Sequence, residues 1–268
     1  MIDGLLETWA SIDTVLDGLD EAQWALPTDC PGWNVQAQVA HLLGYEAQWY
    51  LRRTPGSVAA AEPMPAHVVN ALGEGNEAWV VSRADRNPAA VLEEYREVIR
   101  ARTMMLTATD LDLNAVSTTW RGDQALRNQL GTRLFDVWVH EQDIRRAVGL
   151  PGGWDEMGAR HTIALMMGSL PYVLARKAGL ADGATVAITL FGVNAQTVTA
   201  TVEEGRGRLV SAAERPPQAA LTMHEETFVC ITTGRRTAQS YFDANRITLR
   251  GDHDLAQQVA MNLCVLEV

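Results

Sequence analysis

The stretch RLFDVWVHEQDIRRAVGLPGG, residues 133–153, decides how the chain is read. It closes a strong helical segment running from about Asp123 to Val148, stopped by Gly149-Leu150-Pro151-Gly152-Gly153. Asp136 and His140 lie four apart, so on a helix they share one face, one turn apart. That is ligand spacing for a divalent cation, and a third ligand has to come from another helix. His41, in AQVAHLLGYE (37–46), is the best placed. Two imidazole nitrogens and one carboxylate oxygen make an ordinary catalytic zinc set, with a position left open for water or substrate. The spacing alone equally describes a structural ion pair, because so short a motif is permissive. A lone histidine such as His41 is commonly a hydrogen-bonded core residue. His67, His161, His224 and His253 have no comparable partners and read as surface or packing residues.

Upstream, Leu5, Leu6, Trp9, Ile12, Val15 and Leu16 recur at helical spacing and predict an amphipathic opening helix ending near Leu19. Thr28–Trp33 (TDCPGW) is a turn-rich stop. Asn34 is placed to cap a second helix from Val35 to about Arg53. A Pro/Ala linker follows from Thr54 to Pro65. Helices are predicted over Ala66–Ser82 and Pro88–Thr107, the latter with proline in its first turn. Asp110–Arg121 reads as an irregular loop, and one more helix spans roughly Glu156–Lys177. After Gly179 the pattern changes. Ala184–Leu190, Thr197–Val202, Arg208–Ala212, Ala219–Met223 and Arg246–Arg250 read as strands, with helices over His224–Thr232 and from the Asp252 cap through Leu263. The expected architecture is helical first and α+β second, divided into residues 1–179 and 180–268.

The 268 residues suit one large or two modest domains, with core enough to need no staples. An apolar fraction of 47% and a charged fraction of 21% are those of an ordinary soluble globular protein. The net charge of −11 repels phosphate backbones, which argues against nucleic-acid partners. Lys177 is the only lysine, and the arginine bias suggests a GC-rich source genome. Cys30, Cys230 and Cys264 form no CxxC pair, so a reducing cytosol is the natural compartment. The acidic amphipathic N-terminus is not a signal peptide, and no apolar run approaches the ~18 residues of a membrane span. The expectation is therefore a cytoplasmic protein without membrane partners. Oligomeric state is not legible.

Two segments carry a resemblance. CPGWNVQAQVAHL (30–42) is similar to the CPGWTVRDVVAHL signature of the DinB-like, mycothiol-dependent maleylpyruvate isomerase family of actinobacteria. FDVWVHEQDIRRAVGLPGG (135–153) resembles that family's second signature. The tail segments AALTMHEETFVCITTGRRTAQ (219–239) and ITLRGDHDLAQQV (247–259) resemble its sterol-carrier-like domain. The resemblance covers nearly the whole chain. It implies a DinB-like four-helix bundle followed by a small sterol-carrier-like α/β domain. It also implies a metal held by His41, Asp136 and His140. The isomerase uses Glu where this chain has Asp136, one methylene shorter, which leaves the substrate open more than the metal.

In such a family a zinc-bound thiol, mycothiol, is deprotonated at neutral pH and becomes the nucleophile. The implied activity is S-transfer or cis–trans isomerisation of a small electrophile. The chain's own cysteines fit that division of labour. Cys30 sits beside Asp29, which disfavours a thiolate, while Cys230 and Cys264 lie in apolar helical runs and read as core. Glu141 points roughly 100° away from His140 on a helix. It is a candidate acid/base group or an ion-pair partner for Arg145 at i+4, with the pair favoured. Asp143 is placed to accept the other N–H of His140, or to be solvated. Arg145 and Arg146 suit a substrate or thiol carboxylate, or a solvated helix end. Arg235 and Arg236 follow a glycine turn and are the sharper candidates, since the resemblance implies a tail-domain arginine at the active site. Trp33, Trp49 and Trp138 line a pocket or, more commonly for indoles, fill core. Two other readings stay open: a sensing module whose tail holds an apolar ligand, and a structural metal closed by a fourth protein ligand. A two-histidine, one-carboxylate set also suits iron, nickel or cobalt.

Overall fold

The structure is a computed structural model that describes residues 1–56, 65–119 and 122–266. Most of the expected Pro/Ala linker (57–64) and the end of the expected loop (120–121) lie outside them. The chain forms two compact units, Met1–Gly158 and Ala159–Val268. The expected boundary near residue 180 marks instead the change from helix to strand within the second unit, whose first strand begins at Thr185.

The first unit holds α1 (Ile2–Asp17), α2 (Glu21–Trp24), α3 (Val35–Trp49), α4 (Ala71–Val81) and α5 (Pro88–Leu106), then β1 (Val116–Thr119), β2 (Gly122–Ala125) and α6 (Leu126–Val148). The long helices α1, α3, α5 and α6 pack on one another, α3 touching α5 and α6, and α1 touching the same two. Their shared core includes Leu5, Trp9, Ile12, Leu42, Leu43, Tyr95, Val98, Leu134 and Val137. α3 is the central helix. Asn34 caps it by accepting from the Ala37 amide, and nearly all of its faces are buried. A helix buried all round is usually apolar all round. This one also buries Gln38, His41 and Glu46, and each of those polar groups needs an explanation inside the bundle. At Gly44 the helix comes so close to α4 that a Cβ would stand 2.4 Å from Trp79 Cγ.

Several elements differ from the sequence-based expectation for local reasons. α6 begins at Leu126 rather than Asp123, because Gly122–Ala125 pairs antiparallel with Val116–Thr119, inside the segment expected to be irregular. α4 begins at Ala71, where the Asn70 side chain accepts from the Gly73 amide and caps it. The helix expected over Glu156–Lys177 is broken into α7 (Met157–Gly168), α8 (Leu170–Tyr172) and a π-helical turn over Val173–Lys177, with Pro171 at the break.

The second unit is a five-stranded sheet ordered β5-β4-β3-β6-β7, formed by β3 (Thr185–Phe191), β4 (Gln196–Glu203), β5 (Arg206–Val210), β6 (Ala219–His224) and β7 (Ile247–Gly251). Only the central β3–β6 pair is parallel. The helices α9 (Glu225–Thr232) and α11 (His253–Met261) pack on it, and a short helix α10 (Ala238–Asp243) lies between them in sequence. Buried Val186, Ile188, Leu221, Met223, Phe228 and Val259 form its core. Cys230 is buried as expected, but Cys264 is only half-buried and lies in the extended tail beyond α11, because that helix ends at Met261. Among the described residues no helix is long and apolar enough to cross a membrane.

Candidate metal centre

Helices α3 and α6 bring His41, Asp136 and His140 together, one ligand atom of each lying within 4.8 Å of the others. Nε2 of His41 is 3.7 Å from Asp136 Oδ2, and Nε2 of His140 is 3.6 Å from Asp136 Oδ1. Both separations are too long for hydrogen bonds. The two imidazoles are buried, whereas the Asp136 side chain is 31% exposed, so the trio sits at the edge of the bundle interior. Among the described residues neither nitrogen of His41 has a hydrogen-bond partner, although both are buried. Leaving a buried donor or acceptor unmade costs about 1–3 kcal/mol per group. A divalent cation bound by Nε2, Asp136 and His140 removes part of that cost, and the donor set is of the right chemistry.

The protonation pattern has the same sense. Burial lowers the His41 pKa to about 4, helped by the neighbouring His140 and opposed by Asp136, so its imidazole is neutral, as a ligand must be. Burial works against ionised Asp136, but the Arg133 guanidinium and the two histidines hold its carboxyl well below the usual carboxylate range. Burial also disfavours a charged His140, yet its polar contacts with Asp136, Asp143 and Cys30 raise its pKa well above the ordinary value. In the metal-free protein a proton on His140 thus occupies the place that a cation would take.

His140 is oriented from behind. Its Nδ1 lies 2.5 Å from Gln38 Oε1 and 3.3 Å from Asp143 Oδ2, two acceptors that place the Nδ1 proton and turn Nε2 toward Asp136. Gln38 is set with its oxygen toward the ring because its amide nitrogen donates to Thr28 Oγ1 at 2.7 Å. Asp143 is itself held by Arg146 at 2.5 Å and accepts the Cys30 thiol at 3.3 Å. Cys30, His140 and Asp143 therefore also lie within ligand distance of one another. Here Cys30 is a buried donor to a carboxylate.

Trp33 forms the neighbouring wall, its ring centroid 5.1 Å from that of His41 and 6.2 Å from that of His140. Its Nε1 donates to Glu77 Oε2 at 3.1 Å, and the same oxygen lies 3.1 Å from His67 Nε2. His67 thus has a partner that the sequence reading did not supply. It also lies against Gly32, whose φ of +78° and a space closed 2.7 Å from a Cβ by the His67 ring both require glycine. Trp138 is fully buried beside Trp154, as core, and Trp49 is half-buried beside Tyr45.

The remaining candidates of the first unit are engaged elsewhere. Glu141 Oε1 accepts Arg145 Nε at 2.7 Å and the Ser11 hydroxyl at 2.7 Å. Arg145 also donates to Ser11, and Arg146 donates to Asp29 at 2.6 Å. In the second unit Arg235 is half-buried, donating to the Thr233 carbonyl, and Arg236 is exposed. Ser11 stands 2.8 Å from Glu156 Oε1 as well. One hydroxyl hydrogen cannot serve two carboxylates, so the cluster favours holding an extra proton. Burial accordingly raises the Glu141 pKa to about 7, with Glu156 adding to it and Ser11 and Arg145 opposing. Between the ordinary carboxylate value and about 7 the folded chain binds more protons than the unfolded one, so stability falls as pH rises through that window. Urea unfolding at pH 5 and 7.5 should show this loss, at most about 3 kcal/mol, and Glu141→Gln should flatten it. Equal pH slopes in the two proteins would contradict the assignment.

Residues 5–145 match the model of the mycothiol maleylpyruvate isomerase N-terminal domain, and residues 175–263 match that of the SCP-2 sterol transfer family. Two uncharacterized proteins of Mycobacterium tuberculosis, from strains CDC 1551 / Oshkosh and H37Rv, are each 29% identical over 142 residues, 52% of this chain and 52% of the relative. The chain thus spans about half the length of the curated relatives it matches. Crystal structures of the mycothiol-dependent maleylpyruvate isomerase and of a histidine-to-alanine mutant of it are similar in fold. Their TM-scores are 0.53 and 0.54 at 13% and 14% identity, covering 92% of this chain and 90% of theirs. The first match spans more than half of the chain and contains all three residues of the trio, and by it this chain belongs to the mycothiol maleylpyruvate isomerase family.

Proposed function

We propose that the chain is a metal-dependent enzyme of the cytoplasm that activates a low-molecular-weight thiol, mycothiol in the first instance, for attack on a small electrophile. The reaction is S-transfer or cis–trans isomerisation. Zinc is the proposed metal and His41, Asp136 and His140 its ligands. The observation that carries the reading is His41, both of whose nitrogens are buried without a partner and one of which, Nε2, lies 3.7 Å from Asp136. A bound divalent cation supplies a Lewis-acidic position that lowers the pKa of a coordinated thiol or water. The chain's residues do the rest. Gln38 and Asp143 keep the proton of His140 on Nδ1 and so leave Nε2 free to donate. Trp33, fixed by Glu77, covers the imidazoles on one side. Arg235 or Arg236 is proposed to pair with an anionic group of the substrate, and Glu141 and Arg145 are assigned to bracing α6 against α1.

Elemental analysis of untagged protein tests this. The expected result is about one zinc per chain in the wild type and none in His140→Ala, with zinc-dependent turnover of thiol conjugates by the wild type alone. Wild-type protein that takes up no metal after reconstitution overturns the reading. The match of residues 175–263 to the SCP-2 family favours one second reading, a module that holds an apolar ligand. Tight lipid binding without thiol chemistry would select it.

A further inference from the structure

Four alternating charges cross the first unit from its core to the metal site. Arg102 Nε donates to Glu46 Oε2 at 2.9 Å, Arg133 Nε donates to Glu46 Oε1 at 2.6 Å, and Arg133 Nη1 donates to Asp136 Oδ2. The guanidinium carbons lie 3.6 Å from the Tyr50 ring centre and 4.0 Å from that of Tyr45. The side chains of Arg102, Glu46 and Arg133 are 2%, 0% and 2% exposed, and only Asp136, at 31%, reaches the open side. A buried ion pair is in itself a poor source of stability, since well-packed apolar residues commonly do as well. Nor is this one saturated, because Nη2 of both arginines is buried without a partner. The ladder has one accessible end, and that end is the carboxylate of the trio.

We infer that Arg133, fixed by Glu46, is a positioning residue for the metal: it sets and holds the orientation of Asp136. The inference rests on the metal reading above. α6 places Arg133 one turn before Asp136, and α3 places Glu46 behind Arg133. Oδ2 is thereby tied to the guanidinium, while the nearest partner of Oδ1 is His140 Nε2. Asp136 is short and would otherwise be free to rotate at a one-third exposed position. A tied carboxylate is pre-organised for a cation. α3 thus braces both α6 ligands from outside, Glu46 through Arg133 for Asp136 and Gln38 for His140.

Cobalt(II) titration of the full chain, read by its visible absorption and by competition with a chromophoric chelator, tests this without turnover. Arg133→Gln should weaken cobalt binding by about 10–100-fold and alter the absorption band. Glu46→Gln should act in the same direction, and the double variant should lose less than the product of the two. Should Arg133→Gln fail to fold, Arg133→Lys, which keeps the charge but not the fork, should show a smaller loss with the same altered band. Variants that bind cobalt as tightly as the wild type with an unchanged band overturn the positioning role and leave the metal reading standing. A wild type that binds no cobalt overturns both.

Discussion

Glu46→Leu is expected to lower the stability of the metal-free protein by about 3–5 kcal/mol, the loss typical when one partner of a buried ion pair is removed. Glu46 is fully buried and, among the described residues, is the only carboxylate on Arg102 and one of two on Arg133. Leucine matches its volume without matching its charge, so packing is kept while two guanidiniums lose their shared counterion. Arg102 has no other ion pair among the described residues, and its stacking on Tyr50 does not replace one. Equilibrium denaturation measures the loss. A change below about 1 kcal/mol, the range of exposed pairs, would mean that water reaches the ladder. A triple replacement of Glu46, Arg102 and Arg133 by apolar residues should recover much of the stability, since all the buried charge then goes together. It should not recover metal affinity, because Asp136 is then no longer tied.

That contrast bears on what the sequence made legible. Helix periodicity, the Asn34 cap and the change of pattern after Gly179 were enough for the fold class, because they are local signals. Two of the trio were within reach for the same reason, Asp136 and His140 being one turn apart, whereas His41 was reached through the resemblance of its segment to a family signature. The ladder was not. Arg102, Arg133 and Glu46 are common surface residues on three different helices, and nothing in their spacing shows that all three are buried. Gln38 likewise reads as a polar helix residue until its amide is seen between Thr28 and His140. The Glu77 link between His67 and Trp33 joins residues whose association depends on the packing of α4. The Glu156–Lys177 segment was read as one helix in spite of Pro171, where it breaks, and the strand pair around Gly122 competes with helix propensity through tertiary pairing alone. Partners of functional residues are thus harder to read than the residues themselves, because their identity is set by contact rather than by pattern.

His41→Leu should raise the stability of the metal-free protein while abolishing its response to metal. In the wild type both ring nitrogens of His41 are buried and unpartnered, at a cost of about 1–3 kcal/mol for each group left unmade. Leucine fills a similar space beside Trp33 and His140 and brings no polar atom into it. The attraction between His41 and Asp136 is lost, but at 3.7 Å and with a neutral ring it offsets little of the gain. The expected net change is a gain of about 1–2 kcal/mol, smaller than the sum of the two groups because a leucine packs imperfectly in an imidazole's place. Zinc reverses the order. A wild type with zinc at 1,000 times its dissociation constant should gain about 4 kcal/mol by linkage, whereas the variant should gain nothing, having lost one of the three proposed ligands. Thermal melts of both proteins, with chelator and with zinc, separate the two terms. A variant less stable than the wild type in chelator would mean that His41 is satisfied inside the bundle and that its nitrogens need no cation. A variant still stabilised by zinc would place the metal on other residues, with the Cys30, His140 and Asp143 cluster the first to test. The opposite signs are expected from one cause: the unmet hydrogen-bonding capacity of His41 that weakens the metal-free bundle is what the proposed cation would take up.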